Sequence, residues 1–406
     1  MTQTFKVLAA ALAATVLAGV LGGCEKPTQV MTADPQRSAV DARWTLLTAA
    51  DDNDPFTRVR AIEALAGTMG QAEGRRYVQA LGDEQPVVRF AAAMAIGDTR
   101  YTPALGHIED LAVNEPDRRV FVAVIYALYR LNNCKYTPEV LKYTGQLGSL
   151  LFDREKEVRG ATALVMGKMG DPAAIAPLRS LSIDEQEPMV QLQVKESLAL
   201  LGHEPSIIGL ESDTKSTFTD VRLFAVNAIT HVHPRNGGQI LGALLESRQP
   251  VQVHLAAAGG LAEFGEVDPA GYDLCVATLQ DPYVVLRKAY GDEARIDPNT
   301  IPSHQSLAAN SLGQMRNPAA VDVLVPAMKG ADGLVRVSAA RAILKLLPVA
   351  APMGHQTASP PDPRPAIGPP PTPTTQPAAT EPPATEPAED DPPMARPRLT
   401  TAGAKD

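Results

Sequence analysis

A phrase of about 32 residues recurs along the middle of this chain. Residues 158–181 read VRGATALVMGKMGDPAAIAPLRSL, and residues 304–327 read HQSLAANSLGQMRNPAAVDVLVPA. The most similar parts begin at Gly167 and Gly313. In both, a Met lies two residues after the Gly, and a Pro-Ala-Ala run starts five residues after it. A fixed period of this length is typical of solenoid proteins, in which each unit packs against its neighbours.

Stretches similar to residues 158–181 bring the number of repeat copies to nine. Successive copies are 29 to 38 residues apart, except for one interval of 51 residues. We therefore predict a continuous array of units over residues 37–348, with an insertion at about residues 281–303. The copies begin at the anchor residues Val59, Val88, Val120, Val158, Val190, Val221, Val253, His304 and Val335.

Each unit has room for two helices. In the copy that begins at Val158, Ala161 and Leu164 follow at helical spacing and give the first helix an apolar face. Asp171 and Pro172 suit the start of a second helix, since Asp accepts bonds from free amides and Pro has no amide proton there. One hairpin cannot bury its apolar face alone, so neighbouring hairpins must cover it.

The composition agrees with closely packed helices. Hydrophobic residues make up 45% of the chain and aromatic residues only 4%, which favours helices that meet through small side chains. The net charge of -9 argues against nucleic acid as the main ligand, because phosphate binding requires clustered Lys and Arg. The three cysteines, Cys24, Cys134 and Cys275, form neither a disulfide framework nor a zinc-binding pattern.

The recurring lines resemble the HEAT repeat family, in the short variant called HEAT-like or phycobilisome-lyase-like. The resemblance implies an all-α fold, a right-handed α–α superhelix (a HEAT-like solenoid) of about nine helical hairpins. We expect an open rod or arc about 80 Å long, with the second helices on its concave face.

The implied function is a scaffold that binds protein partners, without enzymatic activity, a cofactor or an identified small-molecule substrate. Two alternatives stay open. One is an enzyme or enzyme subunit of the hydroxylase or lyase type with an unrecognised site. The other is a structural component of the cell envelope.

Charged residues recur at fixed positions around the anchors. An Arg follows the anchor in five units, and an Asp precedes it by five residues in three units. Equal positions of stacked repeats are neighbours, so we expect a ladder of contacts between hairpins rather than a basic stripe for an acidic ligand. The third unit departs from the pattern with Phe121 after its anchor. The predicted ladder comprises Asp54, Arg60, Asp83, Arg89, Asp153, Arg159, Arg222 and Arg336.

The first residues are interpreted as an export signal. MTQTFK carries one Lys and no acid, and a 14-residue apolar run starts at Val7. The following LGGC resembles the lipobox of bacterial lipoproteins, which implies a signal peptide over residues 1–23, lipidation of Cys24 and a linker over residues 24–36. We therefore expect a membrane-anchored protein on the periplasmic or cell-surface side of a bacterial envelope. The alternative is an uncleaved anchor helix.

No pattern in the sequence indicates catalysis. One member of the HEAT-like class is an iron hydroxylase built on repeated His-Glu pairs, and the single pair here, His203-Glu204, cannot hold such a centre. His231 and His233 in HVHP supply two metal ligands at most. We therefore predict no metal site.

The insertion and the tail are the two irregular segments. The insertion crowds charged residues beside two tyrosines, a composition found at interfaces. The alternative is a neutral insertion, which is tolerated because longer loops cost little. The predicted partner-binding residues are Tyr283, Arg287, Lys288, Tyr290 and Arg295. Residues 349–406 are rich in Pro, Thr, Ala and acids, so we expect a disordered tail that serves as a spacer, a glycosylated stalk, a docking segment or a solubilising extension.

Overall fold

The computed structural model describes residues 31–347, and every regular element within them is a helix. The helices alternate along the chain between an inner and an outer layer. The inner helices contain the repeat anchors: α2 (Pro55–Met69), α4 (Pro86–Thr99), α6 (Arg118–Leu131), α9 (Lys156–Met169), α11 (Pro188–Leu200), α13 (Thr219–Val232), α15 (Val251–Glu263), α18 (Ile301–Gln314) and α20 (Gly333–Leu346).

Apart from α1, which has 15 residues, the outer helices are shorter than the inner ones and more exposed. They are α1 (Pro35–Ala49), α3 (Gly74–Ala80), α5 (Leu105–Asn114), α7 (Pro138–Thr144), α8 (Leu147–Leu150), α10 (Ile175–Asp184), α12 (Glu204–Asp213), α14 (Gly237–Glu246), α16 (Pro269–Gln280), α17 (Pro282–Tyr290) and α19 (Val321–Met328). Helix α1 begins two residues before the predicted start at 37 because Asp34 caps it and Pro35 takes its first position. Five 3-10 segments precede α3, α5, α10, α18 and α19.

The two phrases of the repeat occupy equivalent places. Each Pro-Ala-Ala run forms a 3-10 turn before an outer helix, and the side chain of Asp171 or Asn317 accepts the amide two residues later. Gly167 and Gly313 lie inside inner helices, where an added Cβ would come within 2.8 Å of Ser197 Cα and of Ala342 Cα. Both glycines therefore let adjacent inner helices approach closely.

The nine inner helices of the described chain form a closed ring. Each packs against the next in order, and α20 then packs against both α1 and α2. Across this seam, the Thr32 and Ala33 amides donate to the Asp322 carboxylate at 2.8–3.1 Å. Arg336 lies 3.7 Å from Asp52. The predicted open arc was therefore wrong, since the last hairpin uses the first as its next neighbour.

The prediction that second helices line the inside was also wrong. Seven of the nine anchor-bearing helices bury half or more of their residues, and α6 and α15 bury ten each. A helix that is apolar on nearly all sides belongs in the interior layer. Nine helices about 9 Å apart on a closed ring have axes roughly 13 Å from its centre, so a narrow lumen runs between them.

The ladder of contacts joins consecutive turns. The Nε and Nη2 atoms of Arg89 donate to Glu115 at 2.9 and 2.7 Å, and those of Arg159 donate to Glu185 at 2.6 and 2.8 Å. The Nη1 atom of each Arg donates to carbonyl oxygens of the turn before its own helix, 3.0 to 3.2 Å away. One guanidinium therefore holds two turns together.

The remaining ladder residues vary this arrangement. Arg222 donates to Gln249 at 2.6 Å, whereas Arg336 donates to turn carbonyls and faces Asp52 across the seam. Asp153 pairs with Arg118, which supplies the cation that the third unit lacks at Phe121. Asp54 instead caps α2 by accepting the Thr57 amide at 2.8 Å.

The prediction was wrong at Arg60. Arg58 takes the ladder position of the first unit, donating from Nε and Nη2 to Asp83 at 2.9 Å and from Nη1 to the carbonyl of Asp52. The true anchor is Thr57, which is buried and whose hydroxyl donates to Asp54. A search for apolar anchors passes over this Thr and finds Val59 two residues later. Arg60 is exposed instead.

The closed ring predicts a disulfide across the seam. A Cβ at position 333 would lie 2.9 Å from Thr57 Oγ1, so the variant Thr57→Cys with Gly333→Cys places two thiols in bonding range. We expect this disulfide to form under mild oxidation and to be identified by peptide mass spectrometry. The matched control is Thr57→Cys with Lys288→Cys, which should stay reduced. Two free thiols at 57 and 333 in the folded protein would contradict closure.

The ladder predicts acid sensitivity. The hydrogen bond from Arg159 lowers the pKa of Glu185 below its ordinary 4.5, against the opposing effect of burial. The stabilisation is therefore present above about pH 4.5 and is lost as the pH falls further. Glu185→Gln should cost about 1.5–3 kcal/mol of unfolding free energy at neutral pH and flatten the acid limb of stability.

Urea titrations between pH 3 and 7 measure both effects. The control is Glu187→Gln, whose exposed side chain pairs with Lys156 at the surface and should change stability little. Equal losses in the two variants would show that Arg159 and Glu185 are not a special contact.

Candidate functional site

An apolar pocket opens into the lumen on the side of the ring where the inner helices begin. We call it the lumenal pocket; its volume is about 600 Å³. Five successive inner helices (α4, α6, α9, α11 and α13) supply its walls. The lining residues are Pro86, Val87, Phe90, Arg119, Lys156, Glu157, Gly160, Ala161, Leu164, Glu187, Pro188, Met189, Val190, Gln193 and Phe224.

The wall of the pocket is aliphatic and aromatic. Phe90, Leu164 and Phe224 are each only partly buried by the protein and face the cavity. Met189 stands at the mouth with 59% of its surface exposed. Gly160 and Ala161 leave the space open because they have little or no side chain. Its volume and mostly apolar wall are those of sites that bind a ligand or a partner's side chains.

The charged residues at the mouth are paired with one another. Lys156 Nζ lies 3.3 Å from Glu187 Oε2. The Arg119 guanidinium donates to Asp117 at 3.0 and 2.6 Å, and this contact lowers the pKa of Asp117. These two pairs carry no net charge, and the exposed carboxylate of Glu157 on the same wall leaves the mouth slightly acidic, which disfavours an anionic ligand. The pocket therefore suits an apolar, uncharged group.

The opposite half of the lumen, where the inner helices end, is charged. Lys168 donates to Asp98 at 2.9 Å, and the Tyr126 hydroxyl donates to the same carboxylate at 2.6 Å. Lys345 lies 3.6 Å from Glu263. The lumen thus has an apolar end and an end lined by ion pairs.

Glu63, midway along α2, shows how enclosed the lumen is at its middle. Its side chain is exposed to solvent, yet desolvation raises its pKa, while Arg60, Arg341 and Lys168 oppose the shift. Lys168 belongs to α9, three inner helices away from the helix of Glu63, so its charge acts across the lumen. An accessible but poorly hydrated carboxylate is expected at the wall of a narrow channel.

The histidines considered as metal ligands have other partners. His231 Nδ1 lies 3.3 Å from Glu196 Oε1, whereas the His233 ring stacks on Phe264 with the ring centres 3.9 Å apart. His203 bonds Ser206 at 2.9 Å, next to Glu204 at the start of α12. Within residues 31–347, no three His, Cys, Asp or Glu side chains are grouped to hold a metal ion.

The two described cysteines are separate. Cys275 is fully buried, and desolvation raises the pKa of its thiol. Cys134 is partly buried after α6, with Arg100 Nη2 at 3.8 Å from its sulfur.

The insertion forms α17 and a loop that ends at Thr300. It is shorter than the predicted 281–303 because α18 begins at Ile301. The Tyr290 hydroxyl accepts the Val251 amide at 3.1 Å and so caps α15, giving this residue a structural role. The other four predicted partner-binding residues, Tyr283, Arg287, Lys288 and Arg295, are exposed.

The residues of the lumenal pocket were not singled out from the sequence. Phe90 and Phe224 lie two and three positions after their anchors, where a helix exposed on that side would carry polar residues. Large apolar side chains on the side of a helix that does not face the core could have indicated a second apolar surface, on the concave side of the array.

The predicted signal peptide, Cys24 and the linker up to residue 30 lie outside the described residues, as does the tail after residue 347. Among the helices of residues 31–347, none combines the length and the apolar character needed to cross a membrane.

Comparison with known proteins identifies the repeats. The family model of HEAT repeats matches residues 43–129. That of the PBS lyase HEAT-like repeat matches residues 158–184 and 305–330, which coincide with the two phrases of the repeat. No curated protein sequence gave a significant match.

A search of solved structures gave human deoxyhypusine hydroxylase in complex with glycerol, at 16% identity and a TM-score of 0.33. The match covers 77% of this chain and 96% of that one. A TM-score this low carries no argument about fold or function. The family matches and the helical layers agree: within residues 31–347 the chain is a series of HEAT and HEAT-like helical repeats.

Proposed function

We propose that this protein is a non-catalytic scaffold that binds an apolar segment of a protein partner in the lumenal pocket. The observation that carries the proposal is the convergence of five successive inner helices on one apolar cavity of about 600 Å³. It is unfavourable to leave such a cavity in contact with water. Removing apolar surface from water contributes a favourable free energy of roughly 25 cal/mol per Å².

The chemistry of the mouth supports a protein segment rather than a charged small molecule or nucleic acid. Lys156 and Arg119 are already paired with Glu187 and Asp117, and the whole chain carries a net charge of -9. Met189 at the mouth is flexible and polarizable, which suits contact with varied side chains. An extended segment with one or two large apolar residues would fill such a site.

We further propose that Cys24 is lipidated and holds the ring at a membrane outside the cytoplasm. The Thr32 amide donates to Asp322, near the start of the outer helix α19. This is the side of the ring on which the inner helices, including α20, end. Residue 24 is eight residues before Thr32, a span of at most about 28 Å. The lumenal pocket opens on the opposite side, so an anchored ring would present it away from the membrane.

Crosslinking in intact cells tests the binding proposal. A photoreactive amino acid at position 189 should give a discrete covalent adduct with a partner protein, because this position stands at the mouth of the pocket. The matched control is position 183 on α10, where Ile183 is 79% exposed on the outer layer. The variant Phe224→Asn, which makes the pocket wall polar, should abolish the adduct at 189. Equal adducts at both positions, or an adduct unaffected by Phe224→Asn, would contradict the proposal.

Metabolic labelling with a fatty acid tests the anchor. Cys24→Ala should remove all label and release the protein from the membrane fraction, whereas Cys134→Ala should keep both. Undiminished labelling of the Cys24 variant would show that the chain is anchored in another way, and it would leave the crosslinking result unaffected.

A further inference from the structure

Three large apolar side chains are exposed in successive units of the ring, on the edge from which the lumenal pocket opens. Phe152 lies in the turn before α9, Met189 is the second residue of α11, and Phe218 directly precedes α13. Their exposed fractions are 49%, 59% and 70%. Phe and Met are usually buried in folded proteins, so three of them together on one edge indicate a contact surface. We call these three residues the rim strip.

The rim strip joins the lumenal pocket. Helices α9, α11 and α13 are successive neighbours in the ring, and all three line the pocket. Met189 belongs to both surfaces, and Phe224 on the pocket wall follows Phe218 along α13. Packed helices are about 9 Å apart, so the strip spans about 20 Å. An extended chain advances about 3.3 Å per residue, so about six residues of a partner would cover it.

The stability of α13 does not account for Phe218. This residue occupies the cap position of the helix, where its side chain makes no hydrogen bond. At the same position of α6 and α20, Asp117 and Asp332 accept free backbone amides. Polar residues are preferred there because they satisfy these amides. An exposed aromatic ring at a cap position is better explained by contact with another molecule.

The charged groups around the strip leave a surplus of acid. Most charged side chains in these turns form ion pairs, as Arg159 does with Glu185 and Lys156 with Glu187. In the turns that lead into α9, α11 and α13 and in the first residues of these helices, the exposed carboxylates outside such pairs outnumber the exposed cations outside them. They are Glu157, Asp184 and Asp220, against Arg154. An apolar surface with surplus carboxylates complements a segment that carries Lys or Arg beside its apolar residues.

We propose that the lumenal pocket and the rim strip together bind a segment of a partner protein that is both apolar and basic. This inference rests on the proposed function and adds the chemistry of the partner. The segment runs along the edge of the ring, with large apolar side chains on the rim strip and one in the pocket. Its Lys or Arg residues lie beside Glu157 and Asp220. Exposed charge pairs of this kind orient and select a segment more than they tighten its binding.

Three fluorescent synthetic peptides test this chemistry with the full chain. They share a core that contains Leu and Phe, which is flanked by Lys in the first peptide, Gln in the second and Glu in the third. Fluorescence anisotropy at low salt should show the Lys peptide binding about tenfold more tightly than the Gln peptide, because several weak charge pairs add together. The Glu peptide should bind most weakly. The preference for Lys should largely disappear in about 1 M salt, where the Debye length is about 3 Å.

The carboxylates are tested by the variant Glu157→Gln with Asp220→Asn. It should weaken binding of the Lys peptide about threefold and leave the Gln peptide unchanged, since only charge is removed. The matched control is Glu139→Gln with Glu204→Gln. These two exposed carboxylates also lie in first helical turns, but on the opposite edge of the ring. The control should bind all three peptides as wild type does.

The rim strip is tested by the variant Phe152→Ser with Phe218→Ser. It should weaken all three peptides by about tenfold, through loss of apolar contact. A Ser at position 218 can cap α13, so the variant should stay folded, and a melting curve checks this. The control is Ile208→Ser on the outer helix α12, where the side chain is 61% exposed. It should bind the peptides as wild type does.

The outcomes separate this inference from the proposed function. Equal binding of the three peptides, lost in the variant Phe224→Asn, would overturn the basic preference and leave the pocket as a binding site. A wild-type chain that does not bind the Lys peptide, or binding unchanged in the Phe152 and Phe218 variant, would overturn the role of the rim strip. The crosslink at position 189 in cells judges the proposed function independently, because it requires no assumption about the charge of the partner.

Discussion

Each inner helix packs against an inner helix on both of its flanks, and seven of the nine bury half or more of their residues. Seven of the nine inner helices find those neighbours before and after them in the chain. For α2 and α20, the two ends of the series within residues 31–347, one flank of each would be open to water. Their contact with each other covers both flanks. In open solenoids, terminal repeats with a polar outer face shield the ends of the array instead.

Ring closure then determines the geometry of the interior. Close approach of the inner helices requires small residues at their contacts, and Gly167 and Gly313 meet Ser197 and Ala342 at distances that exclude a side chain. The arginine ladder joins the start of one inner helix to the turn that precedes the next, and so keeps successive units in register. Arg336 faces Asp52 across the seam as the other ladder residues face the next turn. The seam therefore repeats, with a longer ion pair, the interface found between successive units.

The lumen is the functional consequence of this arrangement. Its two ends differ because the inner helices run in the same direction and bring equivalent positions to the same level. Positions early in the helices carry Phe90, Met189 and Phe224 and form the lumenal pocket. Positions late in the helices carry Lys168, Glu263 and Lys345 and form the charged end. The apolar pocket and the ion pairs thus lie at separate levels of one channel.

The sequence by itself determined the helical hairpins, their number and much of the ladder, because these follow from local periodicity and from residues at equal repeat positions. It misplaced Arg60 because a buried Thr with a satisfied hydroxyl can serve as an anchor, which an apolar pattern does not register. Only the tertiary structure decided that the array closes, which layer is inner and what faces the lumen. Closure depends on the small rotation between successive units summed over nine interfaces, and no single interface encodes that sum. The lumenal pocket brings together residues from five helices between residues 86 and 224, so no local pattern could assemble it.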